Sequence, residues 1–137
     1  MKTIQWGIMV KNTENYSFRY DEQFCKEFNK IIKKRKCPSL KEDFELFKKD
    51  IIDDFDEGKL PKKYHRIAGL DSCVTVPAFI VKDFRCHGIK RGKKSGFRIV
   101  FLLLDSEVFY FTEIYYKGNK EIEDKERINK LFRNRRK

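Results

Sequence analysis

Arg98 is the residue most at odds with its surroundings in this chain of 137 residues. It stands near the start of Phe97-Arg98-Ile99-Val100-Phe101-Leu102-Leu103-Leu104, a run apolar enough for a central strand. A guanidinium there needs a partner, either an acid such as Glu113 or an anionic ligand. Phosphate is the anion its planar fork fits best, because two parallel N–H groups can meet two oxygens. Strand alternation sets Arg98 on the face of Val100 and Leu102, and Glu113 with Tyr115 on one face of the next strand. On the preceding strand it groups Lys82 with Phe84, and Asp83 with Arg85. His87 follows in the same basic stretch and can exchange a proton near neutral pH. The loop from Gly88 to Gly96 adds Lys90, Arg91, Lys93 and Lys94, and the C-terminal tail adds Arg133, Arg135, Arg136 and Lys137. Tyr115, Tyr116 and Lys117 complete the set. Together with Phe109, Tyr110 and Phe111, these rings offer faces for unpaired bases, although the core claims most of them.

Such groups suit cleavage of an RNA phosphodiester without a metal. A base takes the 2′-hydroxyl proton, cations balance the charge of the pentavalent phosphorane, and an acid protonates the departing 5′-oxygen. No metal and no cofactor is expected. The acids between Ser39 and Gly58 read as the polar face of a packed helix, and Cys25, Cys37, Cys73 and Cys86 contain no CxxC pair. His65 and His87 add no ligand spacing, and four reduced cysteines are the expected state.

The charge balance supports a polyanion partner. The chain carries a formal net charge of +11 and a pI near 9.5, unevenly distributed. Residues 39–57 hold three lysines against eight acids, whereas residues 82–98 hold seven Lys and Arg against Asp83 alone. Clustered cations of this kind are the electrostatic footprint of a nucleic-acid binder. Aromatic content of 15% argues against disorder. The longest apolar run, Ile99 to Leu104, is far short of the roughly 20 residues a membrane helix needs. No apolar signal-peptide core opens the chain, so a cytoplasmic protein is expected.

The elements that must position these groups can be read in order. Length suggests a single domain over residues 1–137, with residues 1–15 as an N-terminal extension; Ile4 to Val10 in it fits an edge strand or an extra arm. Residues 16–20 alternate as a short strand, and Asp21 N-caps a helix carrying Phe24, Phe28, Ile31 and Ile32 on one face until Pro38. Ser39 and Glu42 have capping-box spacing ahead of a second amphipathic helix ended by Gly58. Residues 59–69 read as a basic loop. Three strands then form an antiparallel meander, the last two joined by a tight turn at Asp105-Ser106, and Lys120 to Arg135 reads as a final helix. The sum is an α+β sandwich with an antiparallel sheet, an N-terminal helical hairpin and a C-terminal helix, all helices on one face.

These pieces resemble a known family. Phe84-Arg85-Cys86, the Lys90 to Gly96 loop with Ser95-Gly96-Phe97-Arg98, and Ile114-Tyr115-Tyr116-Lys117-Gly118-Asn119-Lys120 ahead of Glu123-Asp124-Lys125-Glu126-Arg127-Ile128 are similar to the core and ending of RelE/ParE-type toxins of toxin–antitoxin modules. The similarity spans roughly residues 16–132. It implies a RelE-like fold and a metal-independent endoribonuclease that cleaves mRNA, in some members on the ribosome, silenced by a cognate antitoxin protein. Arg98 falls at the family's scissile-phosphate arginine, Lys82 and Arg85 on the strand supplying transition-state cations, and Tyr115, Tyr116 and Lys117 at the catalytic end. Gly118 stands where some members carry arginine, and no histidine follows the last strand. Two other readings share the fold: a ParE-like gyrase inhibitor or other protein-binding module, and a basic nucleic-acid binder without catalysis.

Overall fold

The structure, a computed structural model, describes residues 16–58, 60–87, 96–120 and 122–135. The elements run β1 (Ser17–Tyr20), α1 (Glu22–Lys33), α2 (Leu40–Asp56), β2 (Tyr64–Arg66), β3 (Ala78–Phe84), β4 (Phe97–Leu104), β5 (Val108–Tyr116) and α3 (Lys125–Arg135). They form an α+β fold on one five-stranded sheet ordered β1-β5-β4-β3-β2. The sheet is mixed rather than antiparallel, because β1 pairs parallel to β5 while every other pairing is antiparallel. β2 is a short edge strand within what sequence alone reads as loop.

The helices cover both faces, not one. α1 and α2 pack on Phe79, Val81, Phe97, Ile99, Phe101, Phe109, Phe111 and Ile114. On the opposite face, Ile128 of α3 joins Ala78, Ile80, Val100, Leu102 and Tyr115. The cause is β4, whose side chains are apolar in both directions, so each face must be shielded from water. Phe24 and Phe28 of α1 meet Phe44 of α2 with ring centroids 5.7 and 5.3 Å apart, so the two helices close over one phenylalanine-rich layer.

Local signals explain the ends of the elements. Asp21 N-caps α1 by accepting from the Gln23 N–H at 3.1 Å. α1 ends before Pro38, in a turn where Arg35 N–H donates to the Ile32 carbonyl and Lys36 N–H to that of Ile31. Arg35 takes a left-handed φ of 54° there, a position glycine usually fills. Ser39 does precede α2, but its hydroxyl donates to Asp43 at 2.6 Å instead of capping, so the capping box does not form. Asp105 and Ser106 both have positive φ, which gives the β4–β5 hairpin the twist a two-residue turn requires. α3 begins five residues later than its pattern suggests, where Asp124 Oδ1 accepts from Arg127 N–H at 3.1 Å.

Two register shifts set the side-chain faces. In β5, Val100 pairs with Glu113 and Phe101 with Phe111, leaving Thr112 as an extra residue. That bulge keeps Phe109 and Phe111 on the α1–α2 side while turning Glu113 and Tyr115 toward the α3 side. In β3, a shift between Val81 and Phe84 places Lys82 and Asp83 opposite Arg98. Strict alternation therefore fails in β3: Phe84 joins Val81 in the α1–α2 layer, and Lys82 does not share its face.

The cysteines also depart from expectation. Cys37 and Cys86 form a disulfide with Cα atoms 5.9 Å apart, while Cys25 and Cys73 are free. The bridge ties the α1–α2 loop to the end of β3 across a sequence separation of 49. Chain-entropy arguments put its contribution at about 4 kcal/mol. Adding a thiol reductant is expected to lower the denaturant midpoint accordingly, with the urea transition as the readout; an unchanged midpoint would mean the bridge adds nothing. Among the described residues no helix is long and apolar enough to cross a membrane. Residues 1–15, the proposed extension, lie outside the described residues.

Candidate functional site

A cleft of about 1300 Å³ opens where β3 and β5 end and β4 begins. Its floor is the residue pair at the heart of the sequence argument. Arg98 and Tyr115 are cross-strand partners, so both side chains stand on the same face. Glu113, the acid that could have locked Arg98, is committed elsewhere. It is 1% exposed, pairs with Lys120 and accepts from the Asp124 N–H at 2.8 Å. Arg98 Nε and the Tyr115 hydroxyl are buried and make no well-formed hydrogen bond among the described residues. The Arg98 guanidinium nevertheless reaches the phenol and favours its ionised form, so the two groups are in contact without an ideal hydrogen bond.

The electrostatics of Tyr115 follow from this position. Burial, the largest influence, raises its pKa above the ordinary 10.0; the neighbouring Arg98 pulls it back, and Glu123 and Glu113 push it up again, leaving it raised. The phenol therefore stays protonated throughout the neutral range and acts as a hydrogen-bond or proton donor, not as a base. Because its folded pKa lies above the unfolded one, the stability it contributes is intact below pH 10 and is lost as pH rises through the folded value. An ultraviolet phenolate titration of the native protein, compared with Tyr115→Phe, is expected to assign a tyrosine titrating above the ordinary range to this position.

Lys82 is exposed and lines the cleft with Arg98, as do Tyr116 and Lys117. Tyr116 faces the other way from Tyr115: it pairs with Phe97 in register, and the two rings lie 5.3 Å apart on the α1–α2 side. It is 38% exposed, and its ring is gripped between Gly96 and Gly118. A Cβ on Gly96 would stand 2.7 Å from Tyr116 Cε1, and one on Gly118 would collide with the other ring edge, so a side chain at either position must displace the ring, and the φ of 86° at Gly96 also favours glycine. One strand thus gives the cleft a buried proton donor on one face and a fixed, half-exposed ring on the other.

The remaining predicted residues do not gather here. Arg85 is exposed but lies outside the cleft lining. His87 is bound to Asp43, its Nδ1 2.5 Å from Oδ1, and also does not line the cleft. Arg133 is paired with Asp71 and Glu126 along α3. Lys90, Arg91, Lys93, Lys94 and Arg136, and the side chain of Arg135, lie outside the described residues.

Sequence reasoning missed half of the lining. Lys30, Lys34, Arg35 and Lys36 come from the end of α1, and Lys62, Lys63 and His65 from the approach to β2 and β2 itself. Glu27 is the single acid among the described residues of the lining, and Arg127 of α3 holds it in a two-pronged pair. The Lys33-Lys34-Arg35-Lys36 run is visible in the sequence but reads as ordinary complement to a helix C-terminus. His65 is opposite Ile80 in register, so it shares the α3-side face with Lys82, Arg98 and Tyr115. Those four side chains form a band across four strands: an imidazole, an ammonium, a guanidinium and a phenol.

No protein-family model matches the chain, and no curated protein sequence or solved structure matches it either.

Proposed function

We propose that this protein is a RelE-type toxin, a metal-independent endoribonuclease that acts on mRNA and is held silent by an antitoxin protein. The observation that carries this reading is the Arg98–Tyr115 pair, bound to no acid among the described residues, on the floor of a cation-lined cleft. A volume of about 1300 Å³ exceeds the usual small-ligand range and suits a stretch of polymer. The excess of cations along its walls fits a phosphate backbone, and the half-exposed Tyr116 ring fits a splayed base.

In this scheme Arg98 and Lys82 hold the scissile phosphate and balance charge as the phosphorane forms. Tyr115, kept protonated by burial, donates to a phosphate oxygen or to the leaving 5′-oxygen. His65 is the proton acceptor available on the same face for the 2′-hydroxyl. The attacking oxygen belongs to the RNA itself, so the product is a 2′,3′-cyclic phosphate and a free 5′-hydroxyl.

The test uses the disulfide-bonded protein and an oligoribonucleotide in the presence of EDTA. Cleavage with cyclic-phosphate ends is expected, and a single 2′-deoxy substitution at the cut site is expected to block it. Binding without cleavage would support the non-catalytic reading, and gyrase inhibition without RNA binding the ParE-like one.

A further inference from the structure

At the start of α2, three potential ligands converge without any contribution from the cleft. Cys37 Sγ, Cys86 Sγ and a carboxylate oxygen of Asp43 all lie within 4.8 Å of one another, and all three residues are buried. They come from the α1–α2 loop, the first turn of α2 and the end of β3. Asp43 is only 5% exposed in a protein of net charge +11, yet among the described residues no lysine or arginine pairs with it. Its partners are the Ser39 hydroxyl at 2.6 Å, the His87 backbone N–H at 2.9 Å and the His87 ring. A buried carboxylate ordinarily needs a compensating cation, and among the described residues no Lys or Arg supplies one.

We infer that, once the Cys37–Cys86 bond is reduced, this cluster is a binding site for a thiophilic divalent cation of the Zn2+ type. Reduction by a dithiol delivers two electrons and two protons, giving two thiols and the reductant's own disulfide. Metal binding then displaces the two thiol protons. Two thiolates and a carboxylate are three ligands of the kind Zn2+ prefers, and water completes a tetrahedron. A Zn–S bond of about 2.3 Å sets tetrahedral sulfurs roughly 3.8 Å apart, a span that Cα atoms 5.9 Å apart can supply. His87 keeps the second carboxylate oxygen, a carboxylate–imidazole contact of the sort that orients metal ligands. The cation would neutralise the site and take over the disulfide's tether. Lys36, a cleft-lining residue, immediately precedes Cys37, so the same tether holds the α1 cations in place.

The sequence spacing hides this site, because its ligands are six and 43 residues apart along the chain, outside any short ligand motif. The test compares full-length protein in its reduced and disulfide-bonded forms, titrated with Co2+ and then Zn2+. Reduced protein is expected to take up one Co2+ with visible tetrahedral bands and a sulfur-to-metal charge-transfer band, and to lose both when Zn2+ is added. The disulfide-bonded form, which needs no substitution to remain folded, is expected to show neither. Cys37→Ser or Cys86→Ser is expected to weaken binding at least 100-fold, and Asp43→Asn about 10-fold, while Cys25→Ser and Cys73→Ser change nothing. Zn2+ is also expected to restore the denaturant midpoint that reduction lowers. Absence of the charge-transfer band in the reduced protein, or equal uptake by the oxidised form, overturns the assignment.

Discussion

Arg98→Ala is expected to slow RNA cleavage by about 10²–10³-fold, or roughly 3–4 kcal/mol of transition-state stabilisation, while leaving the fold intact. The two halves of this expectation rest on one observation. Arg98 Nε is buried without a well-formed hydrogen bond, and Glu113, its obvious acid, is bound to Lys120 and the Asp124 N–H, so truncating Arg98 breaks no ion pair among the described residues. A guanidinium serving stability would be tied to an acid, and its loss would lower the unfolding midpoint. Arg98→Lys is expected to recover only part of the rate, because a point charge cannot make two parallel contacts to a phosphate. Single-turnover cleavage measured beside urea unfolding checks both halves. Full cleavage by folded Arg98→Ala would remove the nuclease assignment.

The largest stability effect is expected at the neighbouring pair. Glu113 is 1% exposed, and Lys120 is the cation that neutralises it. Lys120→Met strands a buried carboxylate, which typically costs about 3–5 kcal/mol. The Lys120 side chain is 38% exposed, so the pair is partly solvated and the lower end of that range is the expected value. In the double variant Lys120→Met/Glu113→Gln the buried charge is gone and the amide oxygen can still accept from the Asp124 N–H. Most of the lost stability is expected to return. Denaturant midpoints of the two variants distinguish this from simple loss of packing by the lysine stem, which the second substitution could not repair. The Lys120 ammonium also lies over the Tyr115 ring, 5.1 Å from its centroid, so Lys120→Met is expected to disturb the cleft floor as well.

Both predictions concern one end of β5, and its construction explains why. β1 pairs only with the first half of β5, from Val108 to Phe111, and the Thr112 bulge comes directly after. From there the strand edge is finished by side chains. Glu27 of α1 accepts from the Ile114 N–H at 3.2 Å, and Arg127 of α3 donates to the Thr112 carbonyl at 2.6 Å. Glu27 and Arg127 also pair with each other at 2.8 Å, so helices from both layers are joined around the open edge. An edge closed this way resists pairing with another chain and holds Tyr115 and Tyr116 in fixed registers.

Much of this molecule was determined by its residues read in order. Alternation marked Arg98 and Tyr115, amphipathic spacing marked α1 and α2, Asp21 marked a cap and Asp105-Ser106 a turn; each is a property of a few neighbouring residues. Tertiary structure alone decided the rest. The bulges at Lys82-Asp83 and Thr112 exchange faces without any composition signal, because an extra residue is tolerated only where the partner strand accommodates it. The parallel pairing of β1, the placing of α3 opposite the other helices, and the arrival of His65 and the α1 cations beside Arg98 depend on contacts between residues far apart in the chain. So does the meeting of Cys37 with Cys86, since a sulfur's state is set by which group lies within reach, and that distance is a property of the folded chain.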